Sequence, residues 1–338
     1  MKNIKGYIVL IGLGLVLIYS FGYKRKKNLN SSSDNTKYVN TFIGTGGHGH
    51  TFPGATTPYG MVQLSPDTRT LGWDACGGYH YSDSSILGFS HTHLSGTGIS
   101  DLGDFLVMPT IGKIQLNPGT ESHPETGYRS RFSHVNEKAE PGYYSVMLDD
   151  YMIKAELTAT TRVGVHRFTP PEQTTLNLII DMSAGIYNYP GKNIWQFVRI
   201  ENDTLITGYR QTRGWARTRT IYFAMSLSKP ITDYGAENNE ELIYKGFYRK
   251  FEEKHSFPEM AGKNLKIWIQ TLASPLEPLT LKVALSAVST AGALENLQKE
   301  TTNKSFDQIK KEAQDIWNQE LSSIEIKSDS ATLVNFYT

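Results

Sequence analysis

The chain has one cysteine, Cys76, in 338 residues. An internal disulfide therefore cannot form, and a cysteine-rich zinc site is excluded. With 34 basic and 33 acidic residues the formal net charge is +1, so no electrostatic argument supports binding to nucleic acid. The sequence also has neither an HExxH nor a GxSxG motif, and thus lacks the usual signals of zinc peptidases and of serine hydrolases.

Residues 40–103 contain no lysine and no glutamate, yet they hold 13 of the 30 glycines and five of the nine histidines. Glycine is entropically costly unless the backbone needs unusual dihedrals or a close approach. Histidine, tryptophan, tyrosine and aspartate between such glycines are typical of a polar site for an uncharged ligand. We therefore predict that this stretch forms the site and that the rest of the chain is scaffold.

The amino terminus has the pattern of a targeting segment. Lys2 and Lys5 precede an uncharged, largely apolar run over residues 6–23, as in a secretory signal. Four basic residues follow at 24–27, and positive charge favours the cytoplasmic side, so an uncleaved membrane anchor and a buried helix stay open. We predict a signal peptide or membrane anchor over 1–23, a polar linker over 24–37, and an exported protein in the periplasm or at the cell surface. Any membrane contact would then be made by this segment alone.

Period-two patterns dominate the middle of the chain. Apolar and polar residues alternate over 153–160 and over 279–287, which is typical of half-buried antiparallel strands. Turn signals such as Pro141-Gly142 and Pro170-Pro171 recur between these runs. Many short strands without interleaved helices predict a mostly β fold, a large antiparallel β-sandwich, over residues 38–290.

Helical patterns follow over residues 291–328. Ser305 and Gln308 have the spacing of a capping box, and apolar residues then recur at helical spacing as far as Leu321. A further helical pattern begins after Asp329-Ser330 and includes Phe336. Two helical turns do not stand alone in water. We therefore expect the chain to be the front part of a longer protein; a frayed terminal tail is the alternative.

Two pairs of histidines are two residues apart: His48 with His50, and His91 with His93. Residues i and i+2 of a strand share a face, so the two pairs could form a metal site to which residues 101–104 add carboxylates. The alternative is that these histidines hydrogen-bond to the backbone of tight glycine-rich loops. The acidic spacing of a known calcium loop is absent.

Carbohydrate recognition is the second hypothesis for these loops. Trp73 and its aromatic neighbours lie among glycines and aspartates, and a sugar needs a flat apolar platform with polar groups around it. A core tryptophan is the alternative. Cys76 is interpreted as a small buried or pocket-lining residue because no partner histidine supports a nucleophile. A hydrolytic triad of Asp101, Ser95 and a histidine is not favoured.

Four arginines surround Trp215, namely Arg210, Arg213, Arg217 and Arg219. Alternate arginines on a strand usually form a solvated face with cross-strand acids. Docking of a second domain is the alternative interpretation.

Together the motifs resemble the amino-terminal domain of glycoside hydrolase family 92. The resemblance extends from residue 38 to residue 338. It is carried by the strings GHTFPGAT (49–56), GMVQLSPDT (60–68), GYHYSDS (78–84), GFSHTHLSGTG (88–98) and GYRQTRGWA (208–216). Ile99 departs from the pattern, because a small residue or cysteine is expected at this position.

The resemblance implies a fold and an activity. Family 92 enzymes are calcium-dependent, inverting exo-α-mannosidases that act on N-glycans and mannans. They join a supersandwich of the galactose-mutarotase-like type, through linker helices, to an (α/α)6 barrel, with the active site at the domain interface. In the family the acid, the base and the calcium ligands come from the barrel. Residues 329–338 would be its truncated start, and the rest of the barrel is the missing partner domain.

We therefore expect no catalytic residue and no metal ligand in this chain, and no calcium bound by it alone. The expected function is the sandwich half of an exo-α-mannosidase with α-1,2-linked mannose as the first candidate substrate, inactive alone. A non-catalytic carbohydrate-binding module and the structural remnant of a broken gene are the alternatives. The substrate-binding residues that the resemblance and the composition imply are Trp73, Asp74, Cys76, His91, His93, Ser95 and His50.

Overall fold

The computed structural model describes residues 34–238, 258–324, 326 and 328–330. The predicted signal or anchor, most of the predicted linker and the helical pattern after residue 330 lie outside these residues. Within the described part of the chain, no helix is long and apolar enough to span a bilayer.

The described residues are mostly β. The strands are β1 (Ala55–Thr56), β2 (Gln63–Asp67), β3 (Ser85–Ile86), β4 (Gly88–Ser90), β5 (Leu106–Ile111), β6 (Ser130–Arg131), β7 (Lys138–Glu140), β8 (Tyr143–Leu148), β9 (Ile153–Ala159), β10 (Val163–Thr169), β11 (Thr174–Asp181), β12 (Asn193–Asn202), β13 (Leu205–Thr212), β14 (Arg219–Leu227), β15 (Ile231–Asn238), β16 (Glu259–Gly262), β17 (Leu265–Ala273) and β18 (Leu279–Ser286). Helices α1 (Thr290–Thr301) and α2 (Phe306–Leu321) follow, and single 3-10 turns lie at Asn35–Tyr38, Trp73–Ala75, Pro124–Thr126 and His134–Asn136.

The strands form two large antiparallel sheets and one small one. The first has the order β1-β2-β4-β5-β11-β17-β15, the second has the order β16-β12-β13-β14-β18-β10-β9-β8-β7, and β3 pairs with β6. Both large sheets contribute to one apolar core, in which Met108 and Ile179 of the first accompany Leu157, Phe223 and Leu281 of the second. The predicted mostly β, antiparallel class is confirmed.

The outer face of the nine-stranded sheet is also covered. Val163 and Val165 of β10 pack in a second apolar cluster with Leu297 of α1 and Ile309 of α2. The expectation of half-buried strands is therefore wrong for β9, where even Glu156 is buried. The alternation is real, but other elements cover both faces of this strand except at Lys154, which is exposed.

Helix α2 begins at the predicted capping box. The Ser305 hydroxyl accepts from the Gln308 amide at 3.2 Å, and the Ser305 amide donates to the Gln308 side chain at 2.8 Å. Near its other end, the Trp317 indole donates to the Thr56 carbonyl at 2.6 Å, and the Asn35 amide donates to Asn318 at 2.7 Å. The end of α2 therefore lies beside the start of the glycine-rich stretch.

Candidate functional site

Three loops of the glycine-rich stretch come together: residues 44–50, 72–81 and 95–100. The Tyr81 amide donates to the Thr45 carbonyl at 2.9 Å, which joins the second loop to the first. The Gly96 amide donates to the His50 carbonyl, also at 2.9 Å, and joins the third loop to the first. Backbone hydrogen bonds therefore fix the relative position of segments that are far apart in sequence.

Two glycines permit the close approach of these loops. A Cβ atom at Gly77 would lie 2.9 Å from the Thr51 carbonyl oxygen, and one at Gly98 would lie 2.4 Å from the Trp73 ring. Any larger residue at Gly77 would push the first and second loops apart, because the atom it meets is backbone.

Trp73 stands at the surface of this loop cluster. Its side chain is 59% exposed, and the ring lies edge-on to the His50 ring with centroids 5.0 Å apart. A core role is therefore excluded in the described structure. The exposed indole is a flat apolar surface of the kind that sugar recognition needs, and contact with a sugar stays a prediction.

Asp74, the next residue, is held by two histidines. His48 Nδ1 lies 2.6 Å and His50 Nε2 lies 3.4 Å from the same carboxylate oxygen, Oδ1. The hydrogen bond from His48 holds the pKa of Asp74 below its usual value. Asp74 is therefore a carboxylate anion at neutral pH.

His91 and His93 lie below the surface. His91 Nδ1 is 2.8 Å from the Phe105 carbonyl, and His93 Nε2 is 2.7 Å from Asp67 Oδ1. The possibility of one metal site built from both histidine pairs is not supported, because the second pair is hydrogen-bonded to internal partners. For this pair the geometry agrees with the alternative that the histidines hydrogen-bond within the glycine-rich loops. Their burial gives no support to the predicted sugar contact of His91 and His93, which remains only a prediction.

Cys76 and Ser95 lie at different depths. The Cys76 thiol is buried, donates to the Trp73 carbonyl at 3.0 Å and accepts from the Ser100 hydroxyl at 3.2 Å. Its burial agrees with a small supporting residue and not with a nucleophile. Ser95 is exposed and lines a cavity of about 310 Å³ together with Ile43 and Trp317.

The arginine cluster is only partly a solvated face. Arg210 is fully buried, and its Nη1 lies 3.6 Å from Asp104 Oδ1, while Arg219 Nη1 lies 2.7 Å from Asp104 Oδ2. Burial opposes ionisation of Asp104, but Arg219 and Arg210 hold its pKa below the usual value. The solvated-face interpretation is wrong for Arg210, because β13 turns this side chain inward.

A second buried cation supports the neighbouring loop. Lys192 lies 3.6 Å from Asp101, and burial, with Arg210 nearby, lowers its pKa to about 8. Asp101 Oδ2 also accepts from the Trp215 amide at 3.0 Å. Asp101 thus joins Lys192 to the loop that contains Trp215, and helps to position the exposed Trp215 side chain. No sequence motif indicated these interactions.

Several other apolar side chains are exposed on the loops that adjoin Trp73 in sequence or through hydrogen bonds. Leu71 is 64%, Ile99 is 68% and Trp215 is 58% exposed. Tyr187 is also exposed, and its amide donates to the Thr70 carbonyl at 2.7 Å. Concentrations of apolar surface mark sites of interaction with a ligand or another protein surface.

The loops do not fit a calcium ion. Calcium takes six to eight oxygen ligands, whereas the His48, His50 and Asp74 group offers two nitrogens and one carboxylate. Asp101 and Asp104 are occupied by lysine, arginine and backbone partners. These residues therefore do not form a calcium site.

Two sequence profiles match the chain. Residues 38–286 match the Glycosyl hydrolase family 92 N-terminal domain. Residues 292–338 match the Glycosyl hydrolase family 92 catalytic domain, so the second match begins within α1.

Known proteins resemble the chain over most of its length. An uncharacterized secreted glycosidase of Arthroderma benhamiae is 27% identical over 313 residues, which are 87% of this chain and 39% of that protein. The structure of a family GH92 α-mannosidase of Bacteroides thetaiotaomicron in complex with mannoimidazole superposes with a TM-score of 0.82 at 40% identity, over 90% of this chain and 39% of that one. A family GH92 inverting mannosidase of the same species gives 0.74 at 27% identity, over 91% and 39%. The chain thus spans about two fifths of the length of these relatives.

Proposed function

Because the chain belongs to glycosyl hydrolase family 92, we propose that it is the β-sandwich portion of an inverting exo-α-mannosidase. Its substrates would be the terminal mannoses of N-glycans or mannan, with α-1,2 linkages as the first candidate. In this proposal the loops around Trp73 form one wall of the sugar site, and the (α/α)6 barrel, which holds the calcium, forms the other. The exposed indole of Trp73 among polar loop groups is the observation that carries the proposal.

The position of the loops supports a site at a domain interface. The cavity beside Ser95 is lined by residues on either side of the first loop, such as Ile43 and Thr51, and by Trp317 of α2. Helix α2 lies within the match to the catalytic domain. The exposed apolar side chains near Trp73 would then be covered by that domain, with Ser95 and Asp74 directed to the substrate.

The acid and base are proposed to come from the catalytic domain. An inverting glycosidase needs two carboxyl groups about 6.5–9.5 Å apart, one to protonate the leaving oxygen and one to activate water. Every carboxylate of residues 40–103 is already engaged: Asp67 by His93, Asp74 by His48, Asp83 by Arg69 and Asp101 by the Trp215 amide.

We expect the purified 338-residue chain to release no mannose from α-1,2-mannobiose above the buffer rate. A binding surface without an acid and a base contributes little to the rate. Mannose is measured by chromatography after prolonged incubation, with a complete family 92 enzyme as the positive control. Robust release by the chain alone would show that its own residues supply the acid and the base.

Non-catalytic carbohydrate binding is a second candidate for the chain alone. Two observations favour it. Trp73 is exposed and can contact a sugar, and the carboxylates of residues 40–103 are hydrogen-bonded or ion-paired to protein groups, so they are not available as acid and base. Calorimetry separates the two: a complete binding module gives a mannan dissociation constant of about 1 mM or tighter, whereas one wall of a shared site binds more weakly.

Replacing Trp73 with Ala should abolish retardation of the chain in a mannan-containing gel while leaving its melting temperature nearly unchanged. The side chain is exposed, so its loss removes a platform but little core. Trp195→Ala, another partly exposed tryptophan, is the matched control and should migrate like the wild type. A large drop in melting temperature for Trp73→Ala, or unchanged retardation, would refute the platform role.

Export is part of the proposal. It rests on the signal-like pattern over residues 1–23 and on the description of the Arthroderma benhamiae relative as secreted.

A further inference from the structure

We propose that His48, His50 and Asp74 form a binding site for zinc or a similar divalent transition-metal ion. The site lies beside the exposed ring of Trp73, which contacts the His50 ring. One ligand atom from each residue lies within 4.8 Å of the other two. Two imidazoles and one carboxylate form a ligand set that suits zinc, whereas calcium requires oxygen ligands and is disfavoured by the two imidazole nitrogens. The proposal is independent of the identity of the sugar.

The distances suit a tetrahedral ion with little rearrangement. Bonds of about 2.0–2.2 Å to nitrogen and oxygen place neighbouring ligand atoms about 3.4 Å apart in a tetrahedron. His50 Nε2 and Asp74 Oδ1 are separated by 3.4 Å. His48 Nδ1 is closer, at 2.6 Å from Asp74 Oδ1, because a hydrogen bond joins them, and a cation would replace this hydrogen bond.

One ligand is fixed by the fold and another is free to adjust. The His50 side chain is 5% exposed, its backbone has a φ of 56°, and its carbonyl is held by the Gly96 amide. The His48 side chain is 77% exposed, so it can rotate outward by the fraction of an ångström that the ion needs. A preorganised ligand lowers the ordering cost of binding.

The site has the form of an open site rather than a closed structural one. Three protein ligands leave a fourth position of a tetrahedral ion vacant for water or a ligand. The partial exposure of Asp74 and the exposure of His48 direct that position to solvent. Because Trp73 stands next to Asp74 and against His50, a sugar hydroxyl lying on the indole could replace the water.

The test is a titration of the full 338-residue chain, stripped of metal by a chelator, with Co²⁺ and then Zn²⁺. We expect one equivalent of Co²⁺ to give the visible bands of a four-coordinate ion, and Zn²⁺ to remove them. His48→Gln and Asp74→Asn should each weaken Zn²⁺ binding by at least about tenfold. Both side chains are at the surface, so these variants should remain folded, which circular dichroism verifies.

His123→Gln is the matched control. His123 is exposed and pairs with a carboxylate, Glu125, at 3.2 Å. Among the described residues no second histidine joins them in a group of metal-ligand atoms, so this variant should bind zinc like the wild type. Excess Ca²⁺ should not displace Co²⁺. Absence of saturable binding by the wild type, or wild-type affinity in both His48→Gln and Asp74→Asn, would overturn the proposal.

Discussion

Replacing Asp104 with Asn is expected to lower the free energy of unfolding by about 3–5 kcal/mol. The Asp104 carboxylate is 1% exposed. It accepts from Arg219 at 2.7 Å and from the Thr92 hydroxyl at 2.6 Å, and it lies 3.6 Å from Arg210. Asparagine keeps the shape but removes the negative charge, so the fully buried Arg210 guanidinium loses its main counter-charge.

The loss of stability caused by Asp104→Asn should also affect the loops of the candidate site. Arg210 Nη1 donates to the Gly103 carbonyl at 3.0 Å, and Gly103 follows the segment in which Asp101 holds the Trp215 amide. We therefore expect Asp104→Asn to increase hydrogen exchange around residues 101–104 and 213–216 before global unfolding.

Urea unfolding at neutral pH, followed by circular dichroism, measures the effect of Asp104→Asn. Glu277→Gln is the matched control, because it breaks the ion pair of an exposed glutamate with Lys229. Exposed pairs contribute little, so its unfolding midpoint should stay close to that of the wild type. Equal midpoints for Asp104→Asn and the wild type would show that the buried network is not needed for stability.

Local patterns in the sequence predicted the elements but not their partners. The alternation over 153–160 predicted β9, and the spacing of Ser305 and Gln308 predicted the start of α2, because each signal lies within a few residues. Arg210 occupies an inward position of β13, but its counter-ion, Asp104, is more than a hundred residues earlier in the chain. No local pattern encodes such a pairing, and thus the arginine cluster was assigned to the surface.

In the candidate site, too, local features could be predicted from the sequence, whereas contacts between distant residues could not. The composition of residues 40–103 pointed to the loops that come together in the candidate site, and the exposure of Trp73 is compatible with the platform prediction. The shared-strand argument for the histidine pairs does not apply, because residues 44–50 form turns and not a strand. His48 and His50 nevertheless come together at Asp74. His50 adopts a left-handed backbone and meets Asp74, a carboxylate 24 residues later in the chain. Only the folding of both loops against each other brings these groups together.

A second large effect is expected at acid pH, and it originates in two buried histidines. His91 Nδ1–H donates to the Phe105 carbonyl at 2.8 Å, so its Nε2 carries no proton and accepts from His166 Nε2–H at 2.9 Å. His166 Nδ1 then has no hydrogen-bond partner among the described residues. A proton added to His91 would set two N–H groups against each other, and one added to His166 would place an unpaired charge in the core.

Stability should therefore fall as the pH drops from about 6.5 to about 4. Burial, with His93 nearby, lowers the pKa of His91 to about 4 from its ordinary value of 6.5, and burial beside His91 lowers that of His166 as well. Below pH 6.5 these two histidines bind protons in the unfolded chain but remain neutral in the folded chain. Acidification therefore favours unfolding until the histidines of the folded chain also become protonated. His91 alone corresponds to a loss of about 3 kcal/mol at 1.36 kcal/mol per pKa unit, and His166 adds to it.

Urea unfolding at pH 7 and at pH 4.5 compares the wild type with His166→Gln. Glutamine keeps a side-chain N–H that can donate to His91 but does not titrate, so the variant should lose less stability on acidification than the wild type. His123→Gln removes an exposed histidine and should lose as much as the wild type. The carboxylates near the two buried histidines are the same in the wild type and in His166→Gln, so the difference isolates the contribution of His166, while that of His91 remains in both. Identical losses in His166→Gln and the wild type would mean that His166 binds a proton as readily in the folded chain as in the unfolded one.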